Sequence, residues 1–189
     1  MTAITTHSRN GIDVAQVYGT LDAIAADPSL ARFEFRVRNR WIDGTHSRST
    51  IQGFYGAGQE DASRERPFEV DASEPPVLLG HNEAPNPAEL LMHALAGCLT
   101  LTIVNVAAAR KVTLTEVSST LEGVLDARGA LGLDDGVRNG FERIRVAFSI
   151  KGEAPPEKLR EIVERAQARS VVYDIVANGV PVDVQAEVG

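Results

Sequence analysis

The chain has 189 residues, of which 43% are hydrophobic, so it is long enough to bury one core but short for two independent domains of ordinary size. Its formal net charge of -7 comes from acidic residues spread among Lys and Arg, which leaves no basic stripe for nucleic-acid phosphates. The first residues are polar and no apolar run is expected to approach the roughly 20 residues of a membrane span. These features predict a cytoplasmic protein that binds neither nucleic acid nor a membrane.

The N-terminal third predicts a helix followed by a hairpin. Apolar residues recur at helical spacing over residues 12–26, with Asn10 as the expected cap and Asp27-Pro28 as the stop, and we interpret residues 1–31 as an N-terminal helical arm. Residues 33–41 and 49–55 alternate in extended style around a turn at Asp43-Gly44. The pattern predicts a β-hairpin with one buried face.

A long helix is predicted in the middle of the chain. Residues 56–75 are rich in Gly, Glu, Arg and Ser and indicate a long surface connection, with a short strand at 68–70. Residues 88–110 are apolar and too many for a strand. Asn86, Pro87 and Glu89 give the helix a well-marked start, because Asn and Glu can exchange capping hydrogen bonds.

The last third predicts two paired strands, a helix and a closing strand. The strands are at 117–126 and 141–151, and a helix begins at Pro155-Pro156 and runs to about Ser170, whose hydroxyl is expected on the core side. Apolar residues alternate again over 180–186, which predicts a closing strand, and Pro181 favours an edge position or the beginning of that strand. Because the strands come in hairpin-like pairs, we expect an α+β fold with an antiparallel sheet packed on two helices.

Cys98 is the only cysteine and lies in the middle of the long helix. It cannot form an internal disulfide or supply a structural zinc site, so it is either a packing residue or a reactive one. At about 100° per residue, His93 and Glu89 lie far around the helix from it, so an activating cation must come from another element, with residues 36–48 the obvious source. Flanked by Ala96 and Gly97, Cys98 could equally be a small residue that lets helices pack closely.

The run NPAELLMHALAGCLTLTIVNVAA, residues 86–108, resembles the signature helix of the OsmC and Ohr family. The similarity continues in order through the strand pair, the proline-started helix and the valine-rich end, and it covers roughly residues 33–188. We therefore divide the chain into the arm, 1–31, and an OsmC-like domain, 32–189.

The resemblance implies an intertwined homodimer with antiparallel sheets wrapped around two central helices and sites between the subunits. Many members of the family reduce organic hydroperoxides. In those, the thiolate of a first cysteine, here Cys98, becomes a sulfenic acid and condenses with a second cysteine, and dithiols then reset the pair.

Two positions depart from that family pattern. The second cysteine aligns with Ser170, and a hydroxyl cannot form the disulfide, although a helix-end hydroxyl bonded to a carbonyl would also explain an inward-facing serine. The acidic residue that follows Asn-Pro in Ohr-like proteins is Ala88 here, with Glu89 one place later, and Glu89 is better explained as a helix cap than as a catalytic base.

The family places the arginine that pairs with the thiolate in or just after the first hairpin turn. Arg48 is the best positional match and Arg40 the second, although an exposed hairpin arginine is often only solvated. His46 and His81 are interpreted as loop residues without a metal-spaced partner. We predict Cys98 and Arg48 as catalytic residues, with no metal and no cofactor.

Three functions remain open from the sequence. The first is reduction of hydroperoxides by Cys98 alone, with an external thiol as reductant. The second is a non-catalytic dimer that binds an apolar small molecule in its interfacial pocket, which Cys98 merely lines. The third is an interaction module that uses the N-terminal arm as a docking helix.

Overall fold

The computed structural model describes residues 8–189, so the expectations for residues 1–7 lie outside it. The contacts divide the described chain into two compact units, with residues 8 and 13–91 in unit 1 and residues 9–12 and 92–189 in unit 2. The elements in chain order are β1 (Ser8–Arg9), β2 (Ile12–Asp13), α1 (Val14–Ala26), β3 (Glu34–Phe35), β4 (Arg38–Asp43), β5 (His46–Ile51), β6 (Phe54–Gly56), β7 (Gln59–Asp61), β8 (Phe68–Ala72), α2 (Pro87–Ala109), β9 (Leu114–Val124), α3 (Ala127–Ala130), β10 (Arg143–Gly152), α4 (Pro156–Gln167) and α5 (Val171–Asn178). Short 3-10 turns cover Pro28–Ala31 and Pro76–Leu78.

Unit 1 contains two small antiparallel sheets. The predicted hairpin is confirmed, since β4 pairs with β5 around Gly44, and β5 pairs in turn with β8. The second sheet has the order β3-β6-β7, and its β6–β7 hairpin was missed within the predicted surface connection. The expected buried face of the first hairpin is wrong within this chain, because Trp41 and Phe35 are each 71% exposed.

The start of the N-terminal helix differs from the prediction. Asp13, not Asn10, caps α1, and its carboxylate accepts the Gln16 amide at 3.1 Å. Asn10 has a positive φ of 54° and forms two hydrogen bonds in unit 2, donating to the Val112 carbonyl and accepting from the Leu114 amide, both at 2.9 Å. The predicted stop at Asp27 is confirmed as the C-cap.

Unit 2 has a continuous apolar core. β9 and β10 pair antiparallel as predicted, and the alternate side chains Val117, Phe148 and Ile150 pack against the core from the sheet. The core consists of buried side chains from α2, from the turn that follows it and from α4: Ile103, Val106, Ala107, Val112, Leu159, Ile162 and Ala166. Burial of the apolar face of α4 stabilises that helix against the core, while its opposite face is charged.

Helix α2 begins and ends close to its predicted bounds, with the predicted cap. The Asn86 side-chain oxygen accepts the Glu89 amide at 2.8 Å, and the Glu89 carboxylate accepts the Asn86 amide at 2.9 Å. This reciprocal pair satisfies two amides that a helix start otherwise leaves without partners. The interpretation of Glu89 as a cap is therefore supported by its contacts.

Among residues 8–189, α2 is the one helix that is both long enough and apolar enough to cross a membrane, judged by length and composition alone. The expectation that no apolar run approaches such a length is therefore wrong. Length and composition alone are weak evidence for a span, because the core helix of a soluble protein passes the same test. Leu95, Leu99 and Ile103 of this helix are buried inside the protein.

The C-terminal end contradicts the prediction. Helix α4 ends at Gln167 instead of running to Ser170, and Ser170 caps a further helix, α5, which was not predicted. The closing strand is not formed, since residues 179–189 have no regular structure. Val182 and Val184 of this segment are 77% and 87% exposed.

Candidate active site

The Cys98 thiol lies beside the start of helix α5, within unit 2. The Ser170 hydroxyl donates to the Cys98 sulfur at an Oγ–Sγ distance of 3.2 Å. The same hydroxyl caps α5 by accepting a hydrogen bond from the Tyr173 amide at 3.3 Å. Ser170 is 2% exposed, so the expected inward orientation of its side chain is confirmed. The same residue therefore starts a helix and contacts the sulfur.

The surroundings of Cys98 favour the thiolate. Burial on its own raises the pKa of the thiol, but the hydrogen bond from Ser170 and the amides of Val172 and Val171 outweigh burial, so that the pKa lies below the ordinary value. These donors belong to the first turn of α5, whose partial positive charge also favours an anion. Thr102 contributes least, since it gives its hydroxyl proton to the Cys98 carbonyl oxygen at 2.7 Å.

Arg48 lies in unit 1 on strand β5, where the register places it opposite Asp71 of β8. Its guanidinium makes a bidentate pair with that carboxylate, with Nε–Oδ1 at 2.6 Å and Nη2–Oδ2 at 2.8 Å. Nη1 is held less tightly, 3.6 Å from a Glu69 oxygen. The pairing raises the pKa of Arg48 and, together with His46, holds the pKa of Asp71 well below its usual range.

The predicted loop histidines both have carboxylate neighbours. His46 lies on β5 rather than in a loop, and its Nε2 is 3.1 Å from an Asp71 oxygen. His81 is in a loop, with Nδ1 3.5 Å from a Glu83 oxygen. Over residues 8–189 there is no group of three or more His, Cys, Asp or Glu side chains arranged for a metal ion.

The family model described as "OsmC-like protein" matches residues 80–185, which is more than half of the chain and includes Cys98 and Ser170. The chain belongs to the OsmC-like family. No curated protein matches the sequence.

Solved structures of OsmC-like proteins share the fold at low sequence identity. An OsmC-like protein from Mycoplasma pneumoniae is 13% identical, with a TM-score of 0.56 over 77% of this chain and 88% of the other. An organic hydroperoxide resistance protein OsmC from Legionella pneumophila is 20% identical, with a TM-score of 0.53 over 77% and 91%. An OsmC-like protein of unknown function from Vibrio cholerae is 14% identical, with a TM-score of 0.52 over 75% and 92%. The predicted α+β antiparallel fold is confirmed by this likeness.

Proposed function

We propose that this OsmC-like protein reduces organic hydroperoxides through Cys98 alone. The observation that carries the proposal is the Ser170 hydroxyl at 3.2 Å from a sulfur whose pKa is lowered by the donors around it. Only the thiolate attacks a peroxide, so a lowered pKa raises the reactive fraction near neutral pH. Membership of a family that includes a hydroperoxide resistance protein gives independent support.

The first step consumes one hydroperoxide. The Cys98 thiolate attacks the outer oxygen of ROOH, an S–O bond forms as the O–O bond breaks, and the leaving alkoxide takes a proton to become ROH. The sulfur is oxidised by two electrons to a sulfenic acid and the peroxide is reduced by the same two.

An external thiol completes the cycle. Because the chain has one cysteine and Ser170 cannot form an S–S bond, no internal disulfide is available. A thiol RSH condenses with the sulfenic acid to give a mixed disulfide and water, and a second RSH releases Cys98 and leaves as RSSR. A reducing compartment supplies such thiols, which supports the proposed cytoplasmic location.

The decisive experiment exposes the full chain to cumene hydroperoxide and measures the mass of Cys98-containing peptides after trapping with dimedone. We expect a sulfenic-acid adduct on Cys98 in the wild type and none in Cys98→Ser. An unmodified thiol at millimolar peroxide contradicts the proposal and leaves the alternative, a dimer that binds an apolar small molecule.

Arg48 is proposed to stabilise the thiolate through Nη1, the nitrogen that its carboxylate partners hold least tightly. Arg38 is the matched control, because it is an exposed arginine of the neighbouring strand β4, paired with Thr50 of β5. We expect Arg48→Ala to slow adduct formation and Arg38→Ala to leave it unchanged. Equal rates in the two variants would remove Arg48 from the site.

A homodimer is proposed because unit 1 leaves its large apolar side chains uncovered by its own chain. Phe35 and Trp41 are each 71% exposed, and Phe68 is 59% exposed, although all three are large aromatic side chains of the small sheets. The mass in solution by light scattering tests this proposal. We expect a dimer for the wild type and dissociation on dilution for Trp41→Ser, and a monomeric wild type contradicts it.

The division into an arm at 1–31 and a domain at 32–189 also stays a proposal. Asn10 belongs to the arm by this division, yet its side chain forms hydrogen bonds with the backbone of Val112 and Leu114 in unit 2. Deleting residues 1–31 tests the docking role of the arm through the mass in solution, and Asn10→Ala in the full chain separates loss of those two hydrogen bonds from loss of α1.

A further inference from the structure

A charged groove of about 520 Å³ runs along the outer side of helix α4 within unit 2. It is lined by Arg110, Glu161, Glu164, Arg165, Ala168 and Arg169. The residues from α4 and the turn after it recur every three to four positions, so they form one solvent-facing strip next to the buried strip that contains Ile162 and Ala166.

The groove offers two cations that no carboxylate of the described chain neutralises. Glu161 forms ion pairs with Lys158 at 3.4 Å and with Arg110 at 3.0 Å, and both cations lower the pKa of its carboxyl. Arg165 and Arg169 have neither an ion pair nor a side-chain hydrogen bond within residues 8–189. A ligand in the groove therefore meets two unpaired guanidinium groups, with Glu164 as the remaining acid.

The end of the groove at Arg169 is one residue away from Ser170, whose hydroxyl contacts the Cys98 sulfur. Arg110 contacts Glu161 at one end of the helix pair and Cys98 contacts Ser170 at the other, so α2 and α4 run antiparallel in this unit. Arg169 precedes Ser170 in the chain, and with Cα atoms 3.8 Å apart its Cα lies within about 10 Å of the sulfur. A small molecule whose charge rests on Arg165 and Arg169 therefore has about 10 Å to span in order to place another of its groups at Cys98.

We propose that this groove binds the carboxylates of a low-molecular-weight thiol and so delivers the reductant of Cys98. The proposal rests on the proposed peroxide reaction and names the partner of its second half. Guanidinium groups suit carboxylates in particular, since they can donate two parallel hydrogen bonds. The thiol attacks the sulfenic sulfur, water leaves, and the product is a mixed disulfide held beside Ser170.

The test uses two disulfides, which form the same mixed disulfide without any peroxide. Glutathione disulfide carries carboxylates and bis(2-hydroxyethyl) disulfide carries none; in each case the Cys98 thiolate takes one half and the other half leaves as a thiolate. Rates are measured by intact mass on the full chain. We expect Arg165→Gln with Arg169→Gln to lower the ratio of the anionic to the neutral rate by about tenfold, because charge steering of that order is lost.

The matched control removes two positive charges elsewhere in the same unit. Arg143→Gln with Arg145→Gln changes exposed residues of β10 and should leave the ratio unchanged, while added salt should lower the wild-type ratio. The neutral disulfide also reports on folding, since Arg165 lies in the last turn of α4, where a cation stabilises the helix.

Two results would overturn the proposal. One is an equal ratio in the groove variant and the wild type, and the other is failure of both disulfides to modify Cys98. The peroxide reaction is judged separately by the dimedone adduct of the wild type, which forms without any thiol reductant or disulfide.

Discussion

Unit 1 and unit 2 are stabilised by different means. Unit 2 contains all ten buried apolar side chains of the described residues, from Leu95 to Ala166, whereas unit 1 contains none. Unit 1 instead relies on strand pairing and on polar contacts such as the Arg48–Asp71 pair. Unit 2 therefore specifies its own core, while the exposed apolar residues of unit 1 suit a surface that another molecule covers.

The largest effect is expected in the core of unit 2. Ile162 is fully buried, so Ile162→Ala should lower the free energy of unfolding by about 2–5 kcal/mol through lost burial and a cavity. Urea unfolding followed by circular dichroism measures it. Leu133→Ala, at a position 72% exposed in the same unit, is the control and should stay within about 0.5 kcal/mol. A similar cost for both would break the comparison.

A smaller effect is expected at the cap of α2, where polar contacts act. Asn86→Ala removes the side-chain oxygen that accepts the Glu89 amide and should cost about 1 kcal/mol of unfolding free energy. Asn86→Asp keeps an acceptor there and should retain most of the stability. Calorimetry of both variants checks the prediction, and an unaffected alanine variant would contradict the role of the cap.

The ion pair of unit 1 predicts a pH dependence. Folding lowers the pKa of Asp71 below its ordinary value of 3.8 through the Arg48 pair, so its contribution to stability is present above that pH and is lost as the pH falls. Asp71→Asn should therefore flatten the decline in stability between about pH 5 and pH 3. Asp22→Asn, which changes an exposed acid of α1, should leave the decline unchanged. Parallel curves for wild type and Asp71→Asn would contradict the prediction.

The effect with the most direct consequence for reactivity is expected at Ser170. Ser170→Ala removes a donor to the sulfur, so the pKa of Cys98 should rise and alkylation by iodoacetamide at neutral pH should slow by about threefold to tenfold. Ser170→Thr keeps the hydroxyl and should restore the rate. An unchanged pH profile of alkylation in the alanine variant would show that the hydroxyl does not act on the thiolate.

A second substitution at the same position tests the geometry. Ser170→Cys places a thiol where the hydroxyl now lies 3.2 Å from the sulfur. Peroxide should then produce an internal disulfide, detected as a loss of two mass units. Persistence of the dimedone adduct in this variant would show that the two positions cannot be bridged.

Local signals made much of the fold predictable. Asn86, Pro87 and Glu89 marked the start of α2, and the alternation of Ile144, Val146, Phe148 and Ile150 marked β10, because both depend on residues close in sequence. The burial of Ser170 was predicted correctly, although from an α4 extended to Ser170, whereas the residue is buried as the cap of α5. Such patterns record which face of an element is apolar.

The errors concern features that sequence spacing does not determine. Residues 180–186 alternate like a strand, but a strand needs a partner and none pairs with them among the described residues. Helix α5 was missed because Val171 and Val172 favour strands, although Ser170 as a cap and Gly179 as a stop were available signals. Asn10 resembles a cap, yet its side chain bonds to residues about a hundred positions away.

The sequence identified the sulfur of the candidate site but not the groups that surround it. The resemblance singled out Cys98 and aligned Ser170 with a cysteine, and the structure brings those two together. The amides of Val171 and Val172 could not be foreseen without α5. The Asp71 partner of Arg48 depends on the β5–β8 register, which no local pattern fixes.

One practical consequence follows from the single thiol beside α5. Because Cys98 is the only cysteine and is partly exposed, a fluorophore or spin label added to the unaltered protein attaches at one known atom. Its signal would report the opening of the α5 cap directly, so spectroscopy could follow this corner of the molecule without first engineering a labelling position.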